Sequence, residues 1–430
     1  QLWDVTELSS TDNLHAPSGA IATAQESMAQ AYGARASFFV VNGGTNALQA
    51  MILALDETDK LLLARDCHRS AVNGAALRGI HTDYISPRYD EARGLLGMVT
   101  PDDLDRALKE TGATAALITS PNMYGFCADM EGLAKAAHEN GALLLVDSAH
   151  GAHFPFSDAL PRALSGFADL YVHSQHKTMD ALTQAASLHL GECRIQPEQL
   201  RRALAMTETT SPSYLLMASL DWSVYMAKRR NWTAQVARCI ALEEKIEAIE
   251  GFQVFHEAIG IGVFERDRTR IVIDVTNRGY TGYEAQAILE ENHIYLEMAD
   301  ARRLVLITSP NDEAGWYDQL LEALSSLPKR APRNAKTTGE EIRFSSNEQR
   351  MGIREATFAK TQTIPLCEAE GHVAAEPIGL YPPGIALVMP GEVIDRRAMD
   401  YLAAQERAGG TLFGVRDGEV FVVCKRLDRA

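Results

Sequence analysis

Cysteine is scarce and scattered in this chain: Cys67, Cys127, Cys193, Cys239, Cys367 and Cys424 include no Cys-x-x-Cys pair. That spacing argues against a zinc site and suits reduced thiols in a cytoplasm, the expected compartment. Long apolar runs are missing as well. None approaches the roughly 20 residues that span a bilayer, and no signal-peptide pattern opens the chain, so no membrane partner is expected. Positive charge is in deficit, with a formal net charge of −16. Nucleic-acid binding needs clustered Lys and Arg against phosphates, so that class is set aside, while an acidic field loosely favours cationic ligands. Internal repeats and low-complexity tracts are absent. What remains is a chain of 430 residues, 46% hydrophobic, more than one core usually holds and enough for two or three domains.

Apolar runs alternate with helical patterns from the start to about residue 225, which predicts a mostly parallel sheet covered by helices. Ala142 to Val146 is a continuous apolar run of the kind expected for a strand buried on both faces, and Asp147 closes it. A second run, Ala168 to Val172, leads into Ser174-Gln175-His176-Lys177. Taken singly, each half has an ordinary reading, a solvated loop lysine and an Asp-x-Ala-His turn with a helix cap. Together they look like a pyridoxal-phosphate site. Lys177 would hold the cofactor as a Schiff base, and Asp147 would keep the pyridine nitrogen protonated so that the ring withdraws electrons from the substrate Cα.

Upstream, the Ser37 to Val41 strand passes through Asn42-Gly43-Gly44-Thr45 into a helical pattern from Asn46 to Leu55. Two glycines permit close backbone approach, and a helix start offers unpaired N–H groups to a phosphate. The Gly-Gly-Thr turn alone is a weak signal. Its order, phosphate loop, then Asp, then Lys, is that of the aspartate-aminotransferase-like fold.

On these residues the chain resembles the ornithine/lysine/arginine decarboxylases, short form, of the pyridoxal-phosphate fold-type I group. The resemblance runs through Asp4 to Leu8, Asn13 to Pro17, Asn42 to Thr45, Cys67 to Ser70, Asp147 to Phe154 and His173 to His189. It continues through Thr210 to Asp221, Tyr381-Pro382-Pro383-Gly384 and Pro390-Gly391-Glu392. The chain opens at Gln1, without the His-x-Pro-Gly-His-Lys type segment that usually precedes Asp-Val-Thr-Glu in this family.

The resemblance implies further contacts. His68 would stack on one face of the ring and Ala149 pack on the other, while Ser174 and His176 join Gly43, Gly44 and Thr45 around the phosphate. Thr209 and Ser211 would reach a phosphate from a neighbouring subunit, which makes the working unit a homodimer or a larger homo-oligomer. His150 would lie near the cofactor's phenolic oxygen or the substrate carboxylate, or behind them as a hydrogen-bonding support. Glu392, beside the Tyr-Pro-Pro-Gly segment, is a candidate to hold a substrate cation, with a surface or dimer-contact carboxylate as the competing reading.

The expected fold is an α/β, aspartate-aminotransferase-like three-layer arrangement with a small α/β domain and a C-terminal α+β domain. Boundaries fall at 1–225 for the large cofactor-binding domain, 226–327 for the small domain, 328–340 for a basic Pro-bearing linker and 341–430 for the C-terminal domain. One long amphipathic helix is expected from Asp221 to Glu250. Strands are expected at Thr269 to Val275, Arg303 to Ile307 and Ile385 to Met389, with a last hairpin turning on Asp417-Gly418. The expected activity is pyridoxal-phosphate-dependent decarboxylation of a basic amino acid, arginine, lysine or ornithine, through a Lys177 aldimine and a quinonoid intermediate. An aminotransferase or carbon–carbon lyase on the same fold is the alternative, and a non-catalytic relative comes last because it has no reason to retain both Lys177 and Asp147.

Overall fold

The computed structural model describes residues 5–8, 10–256, 260–333, 347–381 and 384–424. Asp4, Asn334 to Lys336, Pro382 and Pro383 lie outside the described residues.

Seven short apolar segments form the central sheet: β1 (Ala36–Val40), β2 (Lys60–Ala64), β3 (His81–Ile85), β4 (Ala115–Thr119), β5 (Leu143–Asp147), β6 (Leu170–His173) and β7 (Ala186–Leu190). Their spatial order is β1-β7-β6-β5-β4-β2-β3. Pairings β2–β3, β2–β4, β4–β5 and β5–β6 are parallel, and β7 alone runs against its two neighbours. Strand β5 is buried at every position because helices cover both faces; that is why its sequence reads as an unbroken apolar run. The C-terminal ends of β5 and β6 therefore open side by side at one edge of the sheet, where ligands bind in this architecture.

The second sheet has β8 (Gln253–Val254), β9 (Arg270–Asp274), β10 (Met298–Ala299) and β11 (Arg303–Ile307) in the antiparallel order β8-β9-β11-β10. Alternation divides its residues between two cores. Val272, Met298 and Val305 pack with Leu62, Ile118 and Val146 of the central sheet. Ile271, Ile273, Leu304 and Leu306 face Leu242, Ile246, Leu289 and Leu324 instead. The small sheet is thus bound to the large one through a shared apolar layer, at roughly 25 cal/mol per Å² buried.

Three expectations need correction. The single helix from Asp221 to Glu250 is two helices, Tyr214–Ala227 and Trp232–Glu247. Asn231 starts the second by accepting the N–H of Ala234 at 3.0 Å, and Arg230 is drawn aside to Asp180 at 3.2 Å. The first arm of the last hairpin is divided at Gly414, whose φ of 74° turns the chain: Thr411–Phe413 joins Ile378–Tyr381, whereas Val415–Arg416 joins Glu419–Val423. Asp417 and Gly418 do make the turn, both with positive φ. Finally, the described part of the linker is not a free connection. Lys329 pairs with Glu250, Arg330 lies over the Tyr280 ring at 4.1 Å and Arg333 reaches Glu284 at 2.7 Å.

Candidate active site

Asp147 ends β5, and one of its carboxylate oxygens accepts the N–H of Ala149 at 3.1 Å. Its other oxygen takes no hydrogen bond from any described residue, and the group is buried. A ring N–H⁺ is a fitting partner for an oxygen so placed. Its neighbour β6 ends at His173, and the next residues make one tight turn of helix, Gln175–Thr178. That turn is pinned from three sides. Ser174 N–H donates to the Ala149 carbonyl at 3.2 Å, Lys177 N–H donates to the Ser174 carbonyl at 3.0 Å, and the Gln175 amide donates to Ser187 Oγ at 2.5 Å. Ser187 in turn meets His189 at 2.6 Å, and His189 meets Ser37 of β1 at 2.7 Å. A buried polar chain across three strands therefore fixes the turn that carries Lys177.

Lys177 is exposed, and its Nζ lies 3.1 Å from Nε2 of His150. Crowding by protein atoms lowers the lysine pKa; the charges of Asp147 and Glu297 oppose that shift and Arg270 adds to it. His150 is held well below the usual histidine range by burial, with the cations of Lys177 and Arg270 next in importance.

The phosphate loop is better formed than its sequence suggests. Helix Gly43–Leu53 begins three residues earlier than expected, and its cap residue Asn42 makes no side-chain cap hydrogen bond, so the first-turn N–H groups are left for a ligand. Gly43 has φ of 80°. At Gly44 a Cβ would come within 2.4 Å of Ser174 Oγ, so any larger residue there would turn the Ser174 hydroxyl away from the loop. Thr45 is exposed at the loop, and His176 lies one residue before Lys177, half-buried.

His68 caps the helix Arg69–Arg78: its Nδ1 accepts the Ser70 N–H at 3.2 Å and lies 2.7 Å from the Ser70 hydroxyl. Burial lowers its pKa, Asp147 opposes and Lys177 adds. The C-terminal part of the chain closes over it. Ile385 bridges to His68, and a Cβ on Gly384 would stand 3.3 Å from the imidazole.

Three predicted residues fall elsewhere. Glu392 is not open to a substrate cation. It is fully buried and bidentate to Arg65 at 2.6 and 3.0 Å, and it also accepts from Asn347 at 3.1 Å and the Met389 N–H at 2.8 Å. Ser211 N–H donates to Thr209 Oγ1 at 3.2 Å and the Thr209 carbonyl accepts from His15 Nε2 at 2.8 Å, and among the described residues no hydrogen bond or ion pair joins either to Lys177, Asp147 or the Gly43-Gly44-Thr45 turn. Two residues were missed. Arg270, the buried first residue of β9, donates to His150 Nδ1 at 2.7 Å, and the signal for it was a charge opening an otherwise apolar strand. Glu297, exposed beside β10, donates its backbone N–H to the Val305 carbonyl at 3.1 Å, its carboxylate has no hydrogen-bonded or ion-paired partner among the described residues, and its charge reaches Lys177 and Arg270.

Residues 2–266 match the family described as Orn/Lys/Arg decarboxylase, major domain, and residues 343–417 match Orn/Lys/Arg decarboxylase, C-terminal domain. An arginine decarboxylase of Bacillus subtilis (strain 168) is 32% identical over 441 residues, covering 98% of this chain and 88% of that one. Among solved structures, lysine decarboxylase A from Pseudomonas aeruginosa superposes with a TM-score of 0.82 at 19% identity, covering 97% of this chain and 73% of that one. An SPT solved with PLP superposes at 0.53 and 17% identity, covering 71% and 75%. The aminotransferase-like architecture is common to all of them.

Proposed function

Since the chain belongs to the Orn/Lys/Arg decarboxylase family, we propose that it removes the α-carboxylate of a basic amino acid with bound pyridoxal phosphate, releasing carbon dioxide and the amine. Arginine is the first candidate among arginine, lysine and ornithine, because relatives above 30% identity over most of the chain carry that name. The observation that carries this reading is the placement of Asp147 at the end of β5 and of Lys177 on the turn that follows the neighbouring β6, near enough for the Asp147 charge to act on Lys177, with one Asp147 oxygen left unpartnered.

Lys177 is the amine that attaches the cofactor, and Asp147 partners its ring nitrogen. His68 and Ala149 hold its two faces; the first-turn N–H groups at Gly43 and Gly44, with Thr45, Ser174 and His176, hold its phosphate. When bound, pyridoxal phosphate supplies an acceptor for the electron pair that the departing carboxylate leaves on Cα. The remaining work is done by the chain. Asp147 keeps a positive charge in place by its own negative one, and the rigid Ser174 to Lys177 turn fixes the direction of Lys177 Nζ. Glu297, exposed and within electrostatic reach of Lys177, takes over from Glu392 as the candidate for a substrate's distal cation. Reduced thiols and the absence, among the described residues, of a helix able to cross a membrane fit a cytoplasmic address. The working unit is a homodimer in which Thr209 and Ser211 serve the neighbouring site.

Incubation of the loaded protein with arginine, lysine and ornithine, without any 2-oxo acid, tests the proposal. One of the three yields its amine and carbon dioxide, and Lys177→Ala yields neither. Conversion of the substrate to its own 2-oxo acid, with the amino group passed to an added 2-oxo acid and no carbon dioxide released, favours the aminotransferase alternative.

A further inference from the structure

Arg270 is a guanidinium buried to within 1% of complete enclosure, yet no carboxylate pairs with it directly. Asp267, three residues before it, is already engaged. Its Oδ1 accepts the Thr269 N–H at 2.9 Å and the Thr269 hydroxyl at 2.7 Å, and its Oδ2 lies 3.2 Å from His153. Arg270 instead donates through Nη1 to the Met123 carbonyl at 2.9 Å and through Nη2 to Nδ1 of His150 at 2.7 Å. The other nitrogen of that imidazole, Nε2, is 3.1 Å from Lys177 Nζ. Three side chains from three segments thus form one line, Arg270 to His150 to Lys177.

The proton positions along this line follow from valence. A guanidinium has five N–H donors, no acceptor, and does not deprotonate in a protein, so His150 Nδ1 must contribute the lone pair. An imidazole that accepts at Nδ1 is neutral and bears its proton on Nε2. That proton points at Lys177. An ammonium has three N–H bonds and no lone pair, so the 3.1 Å contact is a hydrogen bond only when Lys177 is the uncharged amine.

We infer that Arg270 is a positioning residue that fixes His150 in its Nε2–H tautomer, and that His150 in turn donates to Lys177 and holds its amine in the uncharged, nucleophilic form. The surroundings act in the same sense for His150: burial above all, and beside it the Arg270 cation, keep it neutral. Around Lys177, burial and Arg270 favour the amine, against Asp147 and Glu297. A neutral amine is what nucleophilic attack requires. The role assigned to Lys177 rests on the proposed function; the tautomer of His150 does not.

Nitrogen–proton correlation spectra of the histidine-labelled full chain, with and without pyridoxal phosphate, read the tautomer directly, the His150 signal being identified by its loss in His150→Gln. Protonation at Nε2 is expected in both preparations, is lost or mixed in Arg270→Met, and returns in Arg270→Lys, which is also a donor only. Protonation at Nδ1 in the unmutated chain, no change in Arg270→Met, or an Arg270→Lys spectrum like that of Arg270→Met overturns the inference. Acylation of Lys177 in the cofactor-free chain, followed by peptide mapping, reads the second half. His150→Leu should label about tenfold more slowly at neutral pH, the equivalent of one pKa unit, while His150→Gln, which keeps an N–H donor, should label near the unmutated rate. Equal rates in His150→Leu and the unmutated chain defeat this half. Neither readout needs turnover, so a chain with the expected tautomer and no amine product would count against the decarboxylase reading alone.

Discussion

The role proposed for Asp147 is electrostatic, and a variant that keeps its shape isolates that contribution. Asp147→Asn is expected to retain the cofactor's visible absorbance but to lose on the order of a hundredfold in turnover, a few kcal/mol of transition-state stabilisation; unchanged turnover would place the ring-nitrogen partner elsewhere. A second buried carboxyl, Asp66, has one oxygen without a partner. Burial, with the Asp147 charge adding, pushes it from 3.8 up to about 7. Below pH 3.8 it is protonated folded or unfolded and changes nothing. Between there and about pH 7 the folded chain keeps a proton that the unfolded chain gives up, so stability falls as pH rises, by up to a few kcal/mol, and then levels off. Asp66→Asn should flatten this slope and raise the denaturation midpoint at alkaline pH relative to the unmutated chain; parallel slopes would show that Asp66 stays ionised.

Elements explain which residues could be read in advance. Lys177, Asp147 and Gly44 sit within a residue or two of strand ends and a helix start, where local sequence dictates the geometry, and all three were legible. Arg270 was not, because its partner His150 is 120 residues away and nothing in either segment announces the contact. Glu392 was misread for the same reason: its partner Arg65 closes β2, 327 residues earlier. The helix from Asp221 to Glu250 showed unbroken amphipathic periodicity, and only the cap at Asn231 and the pull of Asp180 on Arg230 divide it. The Arg65–Glu392 clasp fastens the C-terminal strands to the central sheet, with both side chains about 1% exposed. Removing one partner leaves a buried charge unpaired, so Glu392→Ala should cost about 3–5 kcal/mol in denaturant titration. The double variant Arg65→Met with Glu392→Leu should recover much of that loss. A Glu392→Ala protein of normal stability with an impaired KM would restore the substrate role instead.

At the scale of the whole molecule, helix Tyr214–Ala227 carries Leu215, Trp222 and Tyr225 exposed on its outer surface, with Trp222 stacked on Tyr225 at 5.4 Å. The half-buried Thr209 and the exposed Ser211 lie just before it in the chain. Sedimentation should give a dimer that Trp222→Glu weakens. Mixing Lys177→Ala with a Ser211→Asp variant should return part of the lost activity once subunits exchange, and a monomeric, fully active protein would refute shared sites. The closure of Gly384 and Ile385 over His68 also sets an order in time. Synthesis delivers His68, Asp147 and Lys177 to the growing chain at least two hundred residues before Gly384 and Ile385. On the proposed function, a nascent chain has its attachment lysine while the face of His68 is still bare, and tight capture of the cofactor is expected among the last events in the protein's maturation.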